Sequence, residues 1–220
     1  MKQIILILLT LSINSFSSSL LYDKGIKFLE QNNTVRAKIE FMHASKIGHA
    51  KAMYKMGLIY EKEHNLTEAL HWYKKAKIAG NIKAKYNLGV LSCKLETYQH
   101  LNDFEDYAKN SSKIVQYDLA VCFLKKGNVK KAKKWFTVVA KKEDAKAQYQ
   151  LAILEKNKKI KITWLKKSAK NNYTEAQFKL GKLFFKQQEL KQSKYWLNKA
   201  KNNGSIKAKT YLKRMKELGL

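Results

Sequence analysis

Proline is missing from all 220 residues of this chain, and glycine occurs only nine times. Without proline to break helices and with few glycines to form tight turns, the composition argues against a collagen-like chain, a linker or a β structure with many turns. Two cysteines are too few for a small disulfide scaffold. Acidic residues are also scarce, since the chain has 17 of them and 45 basic residues, which gives a net charge of +28.

Hydrophobic residues nevertheless make up 45% of the chain and aromatic residues 11%, which is enough to form a core and argues against disorder. A chain of this length can form one large domain or one array of repeats. No apolar stretch reaches the roughly 20 residues that a helix needs to span a bilayer.

The first nineteen residues have the pattern of a secretory signal peptide. A charged start at Met1-Lys2 precedes an apolar run over residues 4–11, and Ser15-Phe16-Ser17 or Ser17-Ser18-Ser19 fits a cleavage site. The alternative is a retained N-terminal anchor, although the run is too short to cross a bilayer. We therefore predict an exported bacterial protein, periplasmic or secreted, with a mature chain that begins near residue 20.

A repeat of 29 to 32 residues fills the rest of the chain. Its anchor positions are Ala52, Ala84, Val115, Ala147, Ala176 and Ala208. Glycine or alanine follows each of the first five anchors after five residues, and tryptophan or phenylalanine follows after twenty residues, or after seventeen in the short fifth repeat. Leu20 and Gly25 are in register one repeat earlier, so the array begins where the signal peptide ends.

Each repeat predicts two helices, because small and apolar residues recur along one helical face. In the second repeat these helices run from Ala52 to about Lys62 and from Leu66 to Ile78, with Asn65 or Thr67 as the cap of the second and Gly80 after its end. We predict an all-α fold, a right-handed α-solenoid of about six helix-turn-helix repeats, since a lone helix pair buries too little surface. The predicted boundaries are 1–19 (signal peptide), 20–207 (the array: 20–51, 52–83, 84–114, 115–146, 147–175 and 176–207) and 208–220 (C-terminal capping helix).

Two segments of the second and third repeats, 68–80 and 84–91, resemble the Sel1-like repeats of the tetratricopeptide superfamily, and the resemblance covers about residues 20–212. It implies a scaffold that holds other proteins together. The third repeat departs from the pattern, with Phe104 and Ser112 in place of tryptophan and glycine, and the fifth is short between Glu155 and Ile162. We expect the curvature of the array to be less regular near residues 95–115 and 155–162.

An aromatic stripe is predicted on the face of the first helices opposite their core. It holds the residue two places after each anchor: Tyr22, Tyr54, Tyr86, Tyr117, Tyr149 and Phe178. Lysines flank it at Lys51, Lys83, Lys62, Lys94 and Lys125. In tetratricopeptide-like folds this face is concave, so the resemblance implies a site for a peptide or protein, one that carries carboxylates. The alternative, compatible role is packing between neighbouring first helices.

The lysine excess leaves more than one partner open. Only two basic residues are arginine, and the bidentate arginine fork is what phosphate and base recognition favours, so we predict no nucleic-acid partner. Loose attraction to an anionic membrane or envelope polymer is an alternative function. The sequence does not determine the oligomeric state.

Patterns of catalytic and metal-binding residues are missing from the sequence, which has no G-x-S-x-G elbow, no serine three residues before lysine and no glycine-rich phosphate loop. We predict no enzyme, no cofactor and no metal site.

A distant resemblance to the Helicobacter cysteine-rich repeat proteins implies penicillin-binding or β-lactamase activity as an alternative. Those proteins carry a cysteine pair in each repeat, whereas Cys93 and Cys122 lie in different repeats here. The two cysteines either form a disulfide or stay as separate buried thiols.

Overall fold

Thirteen α-helices and no strand make up residues 2–220, the part of the chain whose backbone the computed structural model describes; side chains are described from residue 16 onward. The helices are α1 (Lys2–Glu30), α2 (Thr34–Lys46), α3 (Ala50–Lys62), α4 (Leu66–Ile78), α5 (Ile82–Lys94), α6 (Leu101–Lys109), α7 (Lys113–Lys125), α8 (Val129–Ala140), α9 (Ala145–Leu154), α10 (Lys158–Lys170), α11 (Thr174–Lys186), α12 (Leu190–Asn202) and α13 (Ile206–Glu217). Odd-numbered helices correspond to the first helices of the repeats and even-numbered ones to the second. The predicted all-α repeat fold is confirmed.

Two compact units divide the chain, an N-terminal unit of residues 1–110 and a C-terminal unit of residues 111–220. The N-terminal unit holds α1 to α6, and the C-terminal unit holds α7 to α13. Within each unit every helix packs against the next one in sequence. This is the arrangement in which helix pairs that cannot bury their apolar faces alone do so by stacking.

The predicted cleavage sites, at residues 15–19, lie within α1, which continues from Lys2 to Glu30. Met1 and the side chains of residues 2–15 lie outside the described part, so the signal peptide stays a prediction. Among the described residues, none of the helices combines the length and the apolar character needed to cross a membrane.

Local hydrogen bonds explain where the helices begin. Asn65 caps α4, because its Oδ1 accepts a hydrogen bond from the Glu68 backbone N–H at 3.2 Å, so the cap is not Thr67. Helix α3 begins two residues before the predicted Ala52, since His49 Nδ1 accepts from the Ala52 N–H at 3.2 Å and caps the helix there. Helix α4 has its predicted bounds, and Gly80 follows it in the left-handed conformation, with φ +89°.

The two stretches that depart from the repeat pattern contain shortened helices, and irregular curvature of the array there stays a prediction. Helix α6 has only nine residues, and Glu96 and Tyr98 adopt positive φ angles in the loop before it. His100 precedes α6 and makes no side-chain capping bond. In the fifth repeat α9 has only ten residues, because it ends at Leu154, while its three-residue connection to α10 has the usual length.

Small residues on the first helices face large rings on the second helices. Gly57 lies directly against the ring of Tyr73, and Gly25 and Gly89 lie in the same way against Phe41 and Phe104. The tryptophan of a second helix reaches the preceding repeat instead, since Trp72 belongs to a buried cluster with Phe41, Ala44 and their neighbours. Tryptophan therefore joins successive repeats, while the glycine–ring pair joins the two helices of one repeat.

Candidate functional site

All six residues of the aromatic stripe are half-buried. Four of them rest on a ring of the second helix of their own repeat, with ring centroids 5.4 to 5.7 Å apart: Tyr22 on Phe41, Tyr54 on Tyr73, Tyr86 on Phe104 and Tyr117 on Phe136. Tyr149 instead packs on Tyr173, just before α11, and Phe178 on Tyr211 of α13. The stripe thus has a packing role, mainly within each repeat rather than between neighbouring first helices.

The tyrosine hydroxyls meet an amide of the following repeat. Tyr54 donates to Oδ1 of Asn87 at 3.5 Å, and the Asn87 amide donates to the hydroxyl of Tyr73 at 2.8 Å. The Tyr73 hydroxyl in turn donates to the Glu61 carboxylate at 2.6 Å. Burial raises the pKa of Tyr54 and strongly raises that of Tyr73, so both hydroxyls stay protonated and act as donors.

A side-chain hydrogen bond also links Tyr117 to Gln150, which occupies the position of Asn87 two repeats later. Burial raises the pKa of Tyr117 as it does that of Tyr54. The contacts align successive first helices and hold the tyrosine rings in one orientation, which leaves a rigid surface on the exposed side of each ring.

A groove in the N-terminal unit is built on the stripe, and we call it the N-groove. It has a volume of about 580 Å³, within the range of roughly 300–1,000 Å³ of ligand pockets. Its lining residues come from α1, α3 and the start of α5: Tyr22, Ala50, Lys51, Tyr54, Lys55, Gly80, Asn81, Ile82 and Lys83. Three lysines and no carboxylate line it, and Ile82 leaves 66% of its side chain exposed.

The C-terminal unit has a groove at the equivalent repeat positions, which we call the C-groove. It measures about 520 Å³, and its floor is Tyr149 and Phe178, while the turn before α13 supplies Gly204 to Lys207. Ile206 stands where Ile82 stands in the N-groove and is 80% exposed. Unlike the N-groove, it contains a carboxylate, Glu175.

Ammonium groups lie over the floor of the C-groove. Lys182 Nζ is 5.7 Å from the ring centroid of Phe178, and Lys179 Nζ is 6.0 Å from that of Tyr149. Both distances fall within the range of cation–π interactions. These contacts hold positive charge beside the aromatic floor, where an incoming carboxylate would meet it.

Of the predicted site residues, the structure brings Lys51 and Lys83 together with Tyr22 and Tyr54 in the N-groove, and Tyr149 and Phe178 in the C-groove. Tyr86 and Tyr117 line neither groove. The other three predicted lysines, Lys62, Lys94 and Lys125, are exposed at the C-terminal ends of α3, α5 and α7 and also lie outside both grooves.

Five lining residues of the N-groove were not predicted, and two of them, Lys55 and Ile82, add a charge and an exposed apolar side chain. The recurring triplets Gly80-Asn81-Ile82 and Gly204-Ser205-Ile206 were the available signal, because they place an isoleucine after a left-handed glycine at the start of a first helix. Each groove is thus formed by two successive first helices together with the start of the next one.

Histidines have structural roles in the N-terminal unit. His49 caps α3 and stacks on Tyr22, with ring centroids 4.8 Å apart. His100 Nδ1 lies 3.6 Å from the Asp103 carboxylate, which also pairs with Lys77 at 2.7 Å. Among the described residues, no group of three histidine, cysteine, aspartate or glutamate side chains could hold a metal ion.

Cys93 lies on α5 in the N-terminal unit and Cys122 on α7 in the C-terminal unit; both are buried, and neither is a free thiol. A bond between them stays a prediction.

We expect denatured but unreduced protein to contain no thiol that iodoacetamide can alkylate, and we expect reduction to expose two such thiols. A band of dimer size that disappears on reduction would contradict the intramolecular pairing.

Comparisons with known proteins bear on the fold. No protein-family model matches the sequence, and no curated protein matches it. A protective antigen of uropathogenic Escherichia coli strains, which displays an SLR fold, superposes with a TM-score of 0.64 and 24% identity over 87% of this chain and 47% of its own, so this chain spans about half of that protein. A Sel1 repeat protein from Oxalobacter formigenes superposes with a TM-score of 0.54 and 20% identity over 85% of this chain and 86% of its own.

The chain has the Sel1-like helical repeat fold. A tetratricopeptide protein, YrrB, described as having an unusual peptide-binding site, is also similar, with a TM-score of 0.58 and 16% identity over 79% of this chain and 97% of its own. At these identities the likeness establishes the Sel1-like fold and leaves the ligand to be argued from the grooves.

Proposed function

We propose that this Sel1-like repeat protein is a non-catalytic scaffold that binds an acidic peptide, or an acidic segment of a protein, in the grooves built on the aromatic stripe. The observation that carries the proposal is the presence of two grooves at equivalent repeat positions, each with an aromatic floor, an exposed isoleucine and lysine margins. Each unit by itself therefore offers the same kind of contact to a short extended segment.

The chemistry of the N-groove defines the ligand further. Tyr22 and Tyr54 are rigid, because their rings rest on Phe41 and Tyr73, so they offer contact area at little entropic cost. Ile82 adds an apolar contact, and Lys51 and Lys83 lie in the same lining. A segment with an apolar side chain next to aspartate or glutamate matches this combination, since lysine attracts a carboxylate as a point charge.

The C-groove fits the same class of ligand less selectively, because Glu175 repels a carboxylate at one margin while Lys182 and Lys207 attract it elsewhere. The N-groove is therefore the better place to test the proposal.

The same proposal includes export of the protein, which the sequence pattern of the first nineteen residues supports.

The test is selection of a random peptide library displayed on phage against the immobilised full chain, followed by fluorescence anisotropy with the peptides that enrich. We expect enriched peptides to carry carboxylates beside an apolar residue. The triple variant Lys51→Gln, Ile82→Ser, Lys83→Gln should weaken binding at least tenfold, because it removes two charges and the apolar contact while sparing the tyrosine packing.

A matched control variant is Lys62→Gln, Lys94→Gln, Val129→Ser, which removes the same two charges and one exposed apolar side chain outside both grooves. It should bind as the native chain does. Equal weakening in both variants, or peptides enriched without carboxylates, would refute the proposed site.

A further inference from the structure

Positive charge is divided unequally between the two units. The N-terminal unit has 16 basic and 10 acidic residues, a net charge of +6, whereas the C-terminal unit has 29 basic and 7 acidic residues, a net charge of +22. A compositional bias spread evenly over the chain would give the two halves similar charges. The excess is therefore a property of the C-terminal unit.

Within that unit the second helices concentrate the charge. Helices α8, α10 and α12 contain four, six and four lysines, and no acidic residue. The corresponding helices of the N-terminal unit, α2, α4 and α6, contain seven basic and five acidic residues between them. Like charges at this density repel one another, so the lysine face of α10 and α12 gains stability when an anionic surface covers it.

The lysines of α10 and α12 point to solvent, because the buried residues of these helices, such as Leu165, Ala169 and Leu197, are apolar or small and occupy the other side. Most of the lysines are exposed: Lys158, Lys159, Lys166, Lys167, Lys170, Lys191, Lys194, Lys199 and Lys201. No residue of α10 or α12 lines the N-groove or the C-groove.

Aromatic and aliphatic side chains stand among these lysines. Tyr195 is 53% exposed and Ile160 46% exposed. Lys199 Nζ lies 5.0 Å from the ring centroid of Tyr195, and Lys167 Nζ lies 4.9 Å from that of half-buried Trp164. Tyrosine and tryptophan with neighbouring lysines are the side chains that favour the boundary between lipid headgroups and acyl chains.

We propose that the face formed by α10 and α12 of the C-terminal unit binds the surface of an anionic phospholipid bilayer. Lysine ammonium groups are attracted to the negative surface potential of such a bilayer, at about 1 kcal/mol for each residue near the surface. Tyr195 and Ile160 then insert at headgroup depth. A nucleic acid fits this face less well, because it favours the arginine fork and offers no apolar layer for Ile160.

The experiment is cosedimentation of the full chain with vesicles of phosphatidylcholine alone and of phosphatidylcholine mixed with phosphatidylglycerol. The apolar residues 4–11 contribute equally to both vesicle types, so the difference reports electrostatic binding. We expect stronger binding to the vesicles that contain phosphatidylglycerol, and we expect this difference to disappear when added salt shortens the Debye length from about 10 Å to about 3 Å.

Two variants with the same net charge locate the contact. Lys159→Gln, Lys170→Gln, Lys191→Gln, Lys194→Gln should bind the anionic vesicles at least a hundredfold more weakly, as four contributions of about 1 kcal/mol predict. Lys24→Gln, Lys27→Gln, Lys46→Gln, Lys62→Gln removes four exposed lysines from the N-terminal unit and should keep most of the binding. Equal losses in the two variants would overturn the proposed face.

A third variant distinguishes a bilayer from a soluble polyanion. Ile160→Ser, Tyr195→Ser keeps every charge, so it should weaken vesicle binding severalfold and leave binding to heparin unchanged. If both ligands bind this variant as they bind the native chain, or if the native chain binds heparin but not anionic vesicles, the bilayer is not the partner. The proposal is independent of peptide binding, which the N-groove variant tests separately.

Discussion

Replacing Gly57 by alanine should lower the free energy of unfolding by about 2 kcal/mol, even though alanine is the better helix former. A Cβ atom at this position would lie within 3.0 Å of two carbons of the Tyr73 ring, a separation that real Cβ atoms do not tolerate. Gly57 and Tyr73 are fully enclosed between α3 and α4. Overpacking in such a core costs about 1–3 kcal/mol or more, which outweighs the gain of about 1 kcal/mol in helix propensity.

The ring cannot move aside cheaply. Its hydroxyl is held by Glu61 at 2.6 Å and by the Asn87 amide at 2.8 Å, and the ring of Tyr54 packs against it. Relieving the overlap therefore breaks one of these partly buried hydrogen bonds or separates α3 from α4. Since Tyr54 forms part of the N-groove floor, we also expect Gly57→Ala to weaken peptide binding.

Thermal unfolding followed by circular dichroism measures the destabilisation of Gly57→Ala, which should appear as a fall of about 4 to 8 °C in melting temperature. The fourth repeat offers a matched control, because Ala120 occupies the position of Gly57 and Phe136 that of Tyr73. Ala120→Gly should also destabilise the protein, by about 1 kcal/mol from helix propensity. A stabilised Gly57→Ala variant would show that the helices are more loosely packed than described.

The fold could be read from the sequence because its determinants are local and recur. Asn65 and Gly80 act on backbone groups within a few residues of themselves, so the bounds of α4 were predictable. The start of α3 was missed by two residues because the cap there is His49, a residue that seldom caps helices. The loss of the regular pattern around Phe104 coincides with the short helix α6, whose length the sequence did not predict.

The candidate site was only partly predictable, because a helical wheel gives direction and not position along the axis. Lys51 lies three residues from Tyr54, about 4.5 Å along the helix, and the two share the N-groove. Lys62 points to the same side but lies eight residues away, about 12 Å, and falls outside the groove. Ile82 enters from the next repeat, a contribution that depends on how repeats stack and that no single-helix pattern contains.

A change from about pH 7.5 to about pH 5.5 should destabilise the N-terminal unit and leave the C-terminal unit nearly unaffected. All five histidines lie in the N-terminal unit. Burial, reinforced by Lys51 and opposed by Asp23, lowers the pKa of His49. Burial, reinforced by Lys74 and Lys77 and opposed by Asp103, lowers the pKa of His100.

The sign follows from proton binding. The folded unit holds these imidazoles at a pKa below the unfolded value of about 6.5, so in this range the unfolded chain binds more protons than the folded one. The contribution of these two histidines to the free energy of unfolding is therefore fully present above about pH 7, and it is lost as the pH falls through 6.5 and below. Protonated His49 also loses the acceptor that caps α3, and a lost cap costs on the order of 1 kcal/mol.

Hydrogen exchange followed by mass spectrometry measures the amide protection of each unit separately in one experiment, once the rates are corrected for the intrinsic pH dependence of exchange. We expect peptides from α2 to α5 to lose protection at the lower pH, while peptides from α8 to α12 keep theirs. His49→Asn should reduce the acid effect around α3, because asparagine caps the helix without titrating, whereas His43→Asn, at an exposed position, should not. Equal loss of protection in both units would assign the acid effect to general charge repulsion, which is stronger in the more basic C-terminal unit, and not to the two half-buried histidines.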